Sequence, residues 1–220
     1  MSELKAVIFD MDGVIIDSEP IHYEVNKKLY DELEIEIKDE EYRKFIGVSN
    51  SDHWGYLKEK HKLVESIEEL VARQNSRNIG HLNNSTEEPI LGVVQLIEEL
   101  ERQNIKIGLA SSSDMRYIKA VIEKFGIDDY FQTMTSGEDM ERGKPHPDIF
   151  QETASKLDED SENCVVIEDS ENGVKAALNA NMKCIGYINP NSHNQDLSLA
   201  HITVDSIEKI TIQMLRDLFV

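Results

Sequence analysis

The feature that most constrains this chain is a repeated local pattern. Four short apolar runs, Ala6-Val7-Ile8-Phe9 and residues 105–110, 164–167 and 184–188, alternate with stretches whose apolar residues recur at helical spacing. Strand-length apolar runs separated by amphipathic helices predict a parallel sheet covered by helices, an α/β doubly wound, Rossmann-like core. The spacing predicts helices over 91–102, 115–125 (closed by Gly126), 147–157, 171–181 and 207–219.

One interval breaks the rhythm. From 14 to 85 the sequence contains no buried strand, only charged amphipathic segments at 21–33, 40–46, 51–60 and 67–82. An all-helical stretch directly after the first strand reads as an inserted cap subdomain. The expected division is an α/β core of 1–13 and 86–220 with a helical cap of 14–85; turn formers at 13–20 and 83–89 mark its exits. A length of 220 residues suits one domain carrying such an insertion.

Charge narrows the partners. With 43 acidic against 23 basic side chains the chain carries a formal charge of −20. It would be repelled by nucleic acid and by an anionic bilayer, so neither is an expected partner. An anionic substrate must find a local cation. No apolar run reaches the roughly 18 residues needed to span a bilayer, and MSELKAVIFD lacks a basic-then-apolar signal, so a cytoplasmic protein is expected. Cys164 and Cys184 lie in apolar stretches and read as small buried hydrophobes.

In open α/β sheets ligands sit beyond the carboxyl ends of the strands. Here the first run ends in Asp10-Met11-Asp12-Gly13, the second in Ser111-Ser112-Ser113 and the third in Glu168-Asp169-Ser170. Residues two apart on an extended segment face the same side, so Asp10 and Asp12 can address one point. Adding Glu168 and Asp169 gathers four carboxylates that need a proton or a cation between them. All are hard oxygen donors, which suits Mg²⁺. Lys144, between Gly143 and Pro145-His146-Pro147, offers an ammonium from a stiff loop. Carboxylates, hydroxyls and an ammonium beside a divalent ion are the parts of phosphoryl transfer through an aspartyl-phosphate. A D-x-D pair alone is commonly a solvated loop, and an EF-hand is excluded because Gly13 comes too early and follows a strand.

These residues resemble the haloacid dehalogenase superfamily over the whole chain. Val7 to Val14 resembles its first motif, Leu109 to Ser113 its second, Gly143 to Phe150 its third and Val166 to Gly173 its fourth. The insertion resembles the cap of the subgroup that contains β-phosphoglucomutase and many sugar-phosphate phosphatases. The resemblance implies Asp10 as the phosphorylated nucleophile and Asp12 as the general acid and then base. It implies Mg²⁺ held by Asp10, the backbone carbonyl of Asp12 and Asp169, with Glu168 nearby. Ser111, with Ser112 beside it, and Lys144 would grip the phosphoryl oxygens. The expected reaction is hydrolysis of a small sugar or polyol phosphate by a monomer.

An acid at position 12 favours phosphate chemistry over dehalogenation, because a halide leaving group needs no proton. The alternative is a sugar-phosphate mutase, which must hold a second phosphate and deny water to the phosphoaspartate. Gly47-Val48-Ser49 resembles the mutase specificity loop, but Ile46 and Asn50 fall where the mutase carries Lys and Arg. A third cap lysine falls near Gln74, with Arg73 and Arg77 close by. His22 falls at the mutase hinge histidine, although Asp17-Ser18-Glu19-Pro20-Ile21-His22 is also a common phosphatase hinge.

His53, Trp54 and Tyr56 are either a sugar-pocket wall or cap packing. His61, His81, His193 and His201 show no metal-ligand spacing. A phosphorylatable receiver module is disfavoured by length and by the insertion, and an idle binding protein by the complete set of acids, hydroxyl and lysine. Between the two units the charge is uneven: the cap holds 15 acids and 10 bases, so the core that must receive the phosphoryl group carries −15.

Overall fold

The computed structural model describes residues 2–192 and 194–220; His193 lies outside the described residues. Six strands form one sheet: β1 (Ala6–Phe9), β2 (Lys106–Ser111), β3 (Thr133–Ser136), β4 (Cys164–Glu168), β5 (Lys183–Tyr187) and β6 (Ile202–Val204). Their order is β3-β2-β1-β4-β5-β6, and every pairing is parallel. The side-chain period of two sorts the strands onto two cores. Val7, Phe9, Ile107, Leu109, Val165 and Ile167 face one; Ala6, Ile8, Ala110, Cys164, Val166 and Cys184 face the other. Both cysteines are buried and free.

Nine α-helices occur among the described residues: α1 (Glu19–Glu32), α2 (Asp39–Tyr42), α3 (Asn50–His61), α4 (Ile67–Asn84), α5 (Val93–Arg102), α6 (Met115–Phe125), α7 (Asp148–Lys156), α8 (Glu171–Asn179) and α9 (Ile212–Asp217). The first four make the cap around their own apolar cluster, in which Ile21, Val25, Leu29, Tyr30, Tyr42, Trp54, Leu57 and Leu70 meet. Local chemistry sets their limits. Ser66 and Glu69 form a reciprocal capping box at the start of α4, and the Ser49 hydroxyl accepts from the Asp52 amide to start α3. Val14, Ile15, Ile16 and Leu82 pack in the core's cluster with the sheet.

Three sequence expectations differ from the structure. The strands β3 and β6 are not among the apolar runs, because Thr133-Met134-Thr135-Ser136 and Ile202-Thr203-Val204 are edge strands with polar residues and short pairing. The segment 40–46 is not one helix: α2 ends at Tyr42, and a 3₁₀ turn, Arg43–Phe45, leads into Gly47 at φ 73°. The C-terminal segment 207–219 is likewise split into a 3₁₀ turn, Ile207–Lys209, and α9. There the Thr211 hydroxyl accepts from the Met214 amide, so the β-branched residue acts as an N-cap instead of continuing a helix. No helix among the described residues is long and apolar enough to cross a membrane.

Candidate active site

The chain runs outward from β1 through β2 to β3 and then returns to β4 on the opposite side of β1. The switch point therefore lies between β1 and β4, where α/β sheets bind ligands. Register brings the polar ends level there: Phe9 pairs with both Leu109 and Ile167. Asp10 and Glu168 thus emerge side by side, and the Asp10 amide donates to the Ile167 carbonyl at 3.0 Å.

After Asp10 the chain turns tightly, with the amides of Ile15 and Ile16 donating to the Met11 carbonyl at 2.8 and 3.1 Å. Gly13 sits at φ 80°, and a Cβ on it would lie 2.0 Å from Asp169 Oδ2. Only glycine lets this turn approach Asp169 so closely.

Lys144 is the buried centre of charge. Its ammonium donates to Asp10 Oδ1 at 2.6 Å and to Glu168 Oε1 at 2.7 Å. Burial opposes its charge, but the two carboxylates outweigh that and hold its pKa above the ordinary lysine value. Glu168 is fully committed, since Oε2 also accepts from the Ser170 amide at 2.8 Å and the Ser170 hydroxyl at 2.9 Å. Burial drives the Asp10 carboxyl well up, the Lys144 charge opposes this, and Glu168 and Asp12 add to the rise. Asp169 is likewise pushed up by burial, then by Glu168 and Asp10, while a bond from the Ser192 hydroxyl counteracts it.

Asp10, Glu168 and Asp169 each offer a carboxylate oxygen within 4.8 Å of the others. Three buried, mutually repelling oxygen donors answered by one ammonium form a donor set that fits a hard divalent cation such as Mg²⁺. Asp10 and Asp169 are the better placed to hold it, because both Glu168 oxygens are already bonded.

Asp12 sits apart from that cluster and takes four bonds. His22 Nε2 lies 2.9 Å from Oδ1, the Ser18 hydroxyl donates to Oδ1 at 2.6 Å, and the Ser111 and Ser113 hydroxyls donate to Oδ2 at 3.0 and 2.8 Å. Burial alone would raise Asp12, but His22, Ser18 and Ser113 outweigh it and bring its pKa to about 2. His22 responds in the opposite sense: burial disfavours its charge, yet Asp12 lifts its pKa above the ordinary value. Both shifts favour the ion-paired form, with Asp12 ionised and the proton on the imidazole.

A cavity of about 60 Å³ lies between core and cap, lined from below by Asp10, Asp12, Ser112, Ser113 and Asp169. The cap wall consists of Glu19, His22, Asn26, Tyr42, Phe45, Ile46, Gly47, Val48, Asn50, His53 and Gln74. The cap is seated on the core: the Ser112 hydroxyl donates to the Gly47 carbonyl at 2.9 Å, and the Ser51 amide donates to Glu138 Oε1 at 3.3 Å. A Cβ on Gly47 would lie 2.5 Å from Ser170 Oγ, so this seat also requires glycine.

The structure brings Asp10, Asp12, Ser112, Asp169, His22, Gly47, Val48 and Asn50 to this one cavity. Lys144 and Glu168 stand behind Asp10, Ser111 bonds Asp12 from within the sheet, and Ser49 serves as the α3 cap. Trp54 is core packing, fully buried in the cap cluster, and Tyr56 is exposed; His53 alone of that trio reaches the cavity. Sequence reasoning did not single out Glu19, Asn26 or Ser113. Glu19 and Asn26 lie on the buried face of α1 with Ile21 and Val25, and that polar interruption of an apolar stripe was the available signal.

The family model for haloacid dehalogenase-like hydrolases matches residues 7–187. The β-phosphoglucomutase of Bacillus subtilis (strain 168) is 31% identical over 221 residues, spanning 97% of this chain and 95% of its own length. Hexitol phosphatase B of Escherichia coli (strain K12) is 31% identical over 214 residues, spanning 95% of each. The crystal structure of a β-phosphoglucomutase from Clostridium difficile superposes with a TM-score of 0.86 at 28% identity, over 97% of this chain and 96% of that one. A match running from the first strand to the fifth, with the acids, serines and lysine gathered at the sheet's switch point, places this chain in the haloacid dehalogenase-like hydrolase family.

Proposed function

We propose that this protein is a Mg²⁺-dependent phosphatase that hydrolyses a small sugar or polyol phosphate through an aspartyl-phosphate on Asp10. The observation that carries this reading is that Asp10 and Asp12 line the same small cavity under the cap in opposite electrostatic settings. Asp10 lies among carboxylates with a lysine at its back, while Asp12 is bonded to an imidazole whose proton affinity it raises. Two acids driven apart in this way take different roles.

In the proposed reaction, Asp10 attacks phosphorus and the bond to the ester oxygen breaks. The departing oxygen takes the proton of the Asp12–His22 pair. Water then attacks the phosphoaspartate, Asp12 accepts its proton, and phosphate leaves with Asp10 restored. Lys144 fixes Asp10 and offsets charge on the phosphoryl oxygens. When bound by Asp10, Asp169 and the Asp12 carbonyl, Mg²⁺ would supply further neutralisation of those oxygens.

Hydrolysis is favoured over transfer to a bisphosphate by the cavity's lining, which contains no lysine or arginine among the described residues. Arg73 and Arg77, which lie next to Gln74 and three residues on, both bond the Glu32 carboxylate on the exposed side of the cap. Apart from His22, whose Nε2 is engaged by Asp12, a second phosphate would therefore meet only neutral and acidic groups. The mutase reading is supported by the His22–Asp12 pair and by the likeness to a protein named β-phosphoglucomutase. The deciding experiment compares Mg²⁺-dependent phosphate release from a panel of hexitol and sugar monophosphates with conversion of β-glucose 1-phosphate primed by glucose 1,6-bisphosphate. Phosphate release is expected to dominate, and efficient isomerisation with little free phosphate would overturn the reading.

A further inference from the structure

The cap wall of the cavity carries a specific pattern of donors and acceptors. Gln74 is 2% exposed, and its Oε1 accepts from Trp54 Nε1 at 2.7 Å. An indole N–H only donates, so the amide oxygen is fixed toward Trp54 and the NH₂ group is the one left for the cavity. Trp54 is itself immobilised, packed edge-on against Tyr30 and stacked on His53.

Asn26, on α1, lines the same cavity and is 4% exposed. Its Oδ1 is buried with no hydrogen-bond partner. Asn50 donates to Asn75 Oδ1 at 2.9 Å, which leaves its own oxygen as a further acceptor. Buried acceptors are rarely left unpaired, and one on a cavity wall is open to completion by a water or a bound ligand.

A phosphate or carboxylate needs donors alone, and an ammonium needs acceptors alone. A hydroxyl is both. We propose that Gln74 and Asn26 are specificity-determining residues that read hydroxyl groups on the uncharged tail of a phosphate monoester, with Gln74 donating and Asn26 accepting. This rests on the site being the phosphate-ester site described above. The mixed lining also selects against a second phosphate, since Asn26 Oδ1 would face it with an acceptor.

The test measures recognition without turnover. Asp10→Asn protein with Mg²⁺ is titrated calorimetrically with glycerol 1-phosphate, n-propyl phosphate and propane-1,3-diol bisphosphate. Glycerol 1-phosphate is expected to bind ~10-fold or more tighter than propyl phosphate, because a site built to bond hydroxyls penalises their loss. That preference should collapse in Gln74→Met, which removes the donor at similar volume without adding charge, and in Asn26→Leu. Propyl phosphate should bind both variants as it binds the parent. A preference that survives in both variants, an equal loss for both esters, no preference in the parent, or tighter binding of the bisphosphate would overturn the proposal. Phosphate release by the wild-type protein is measured separately: its absence would sink the phosphatase reading while leaving the binding result to stand or fall alone.

Discussion

His22 Nε2 lies 2.9 Å from Asp12 Oδ1, and the two groups move each other's proton affinity in opposite directions. In the proposed reaction Asp12 acts as the base for water only while ionised, and its pKa of about 2 favours that form. Without the imidazole that carboxyl rises, because burial is then opposed only by the serine hydroxyls. His22→Asn is expected to lower kcat by ~10–100-fold with little change in KM and to move the acidic limb of the kcat profile to higher pH. Rate–pH profiles of the two proteins check this, and superimposable profiles would rule out the role of His22.

Removing the proposed nucleophile should separate chemistry from folding. Asp10→Asn is expected to reduce Mg²⁺-dependent phosphate release by ~10³-fold or more while leaving the melting temperature within a few degrees of wild type. Chelation of the metal should have the same effect on the wild-type protein. Because Asp10 and Asp169 both hold protons more strongly than usual, Mg²⁺ must compete with protons, and its apparent affinity should fall as pH is lowered from 8 to 6. Metal titrations at the two pH values measure it.

Lys144 is the cation that makes the carboxylate cluster tolerable. Lys144→Met leaves Asp10 and Glu168 buried without a counter-charge, so it should destabilise the metal-free protein by about 3–5 kcal/mol. Added Mg²⁺ should recover part of that loss, since it relieves the same repulsion. Urea denaturation with and without the metal tests both parts, and a loss unaffected by Mg²⁺ would argue that no ion sits among these groups.

Glu19 provides a pH test of the fold. Burial raises its pKa to about 7; the charge of His22 opposes this, while Asp12 and Asp17 add to it. Between its unfolded value near 4.5 and about 7 the folded chain holds a proton that the unfolded chain has released, so stability falls as pH rises through that window. The loss amounts to roughly 3 kcal/mol. Glu19→Gln should remove it, being more stable than wild type at pH 8 and nearly equal to it at pH 5. Denaturation at the two pH values shows whether the difference follows this sign.

Read along the chain, the sequence determined the sheet's interior and the chemistry at its edge. β1, β2, β4 and β5 are buried on both faces and therefore appear as continuous apolar runs, and the groups that follow each run, Asp10, Ser111 and Glu168-Asp169, are fixed to the same edge by parallel pairing. The insertion was legible because helical spacing replaces strand spacing from 19 to 84. Edge strands β3 and β6 were not, since an edge needs no apolar run to pair with one neighbour. Only the tertiary structure decided which groups share the cavity. Glu19, Asn26 and Gln74 are helix positions whose local sequence does not say which core groups they face, and they reach the cavity of Asp10 and Asp12 because α1 and α4 pack together and the Gly47 turn seats the cap. Tertiary packing also drove the proton affinities of the acids apart. Proton affinity depends on burial and on neighbours distant in the chain: Lys144 stands 134 residues from Asp10, and Ser111 and Ser113 stand 99 and 101 from Asp12.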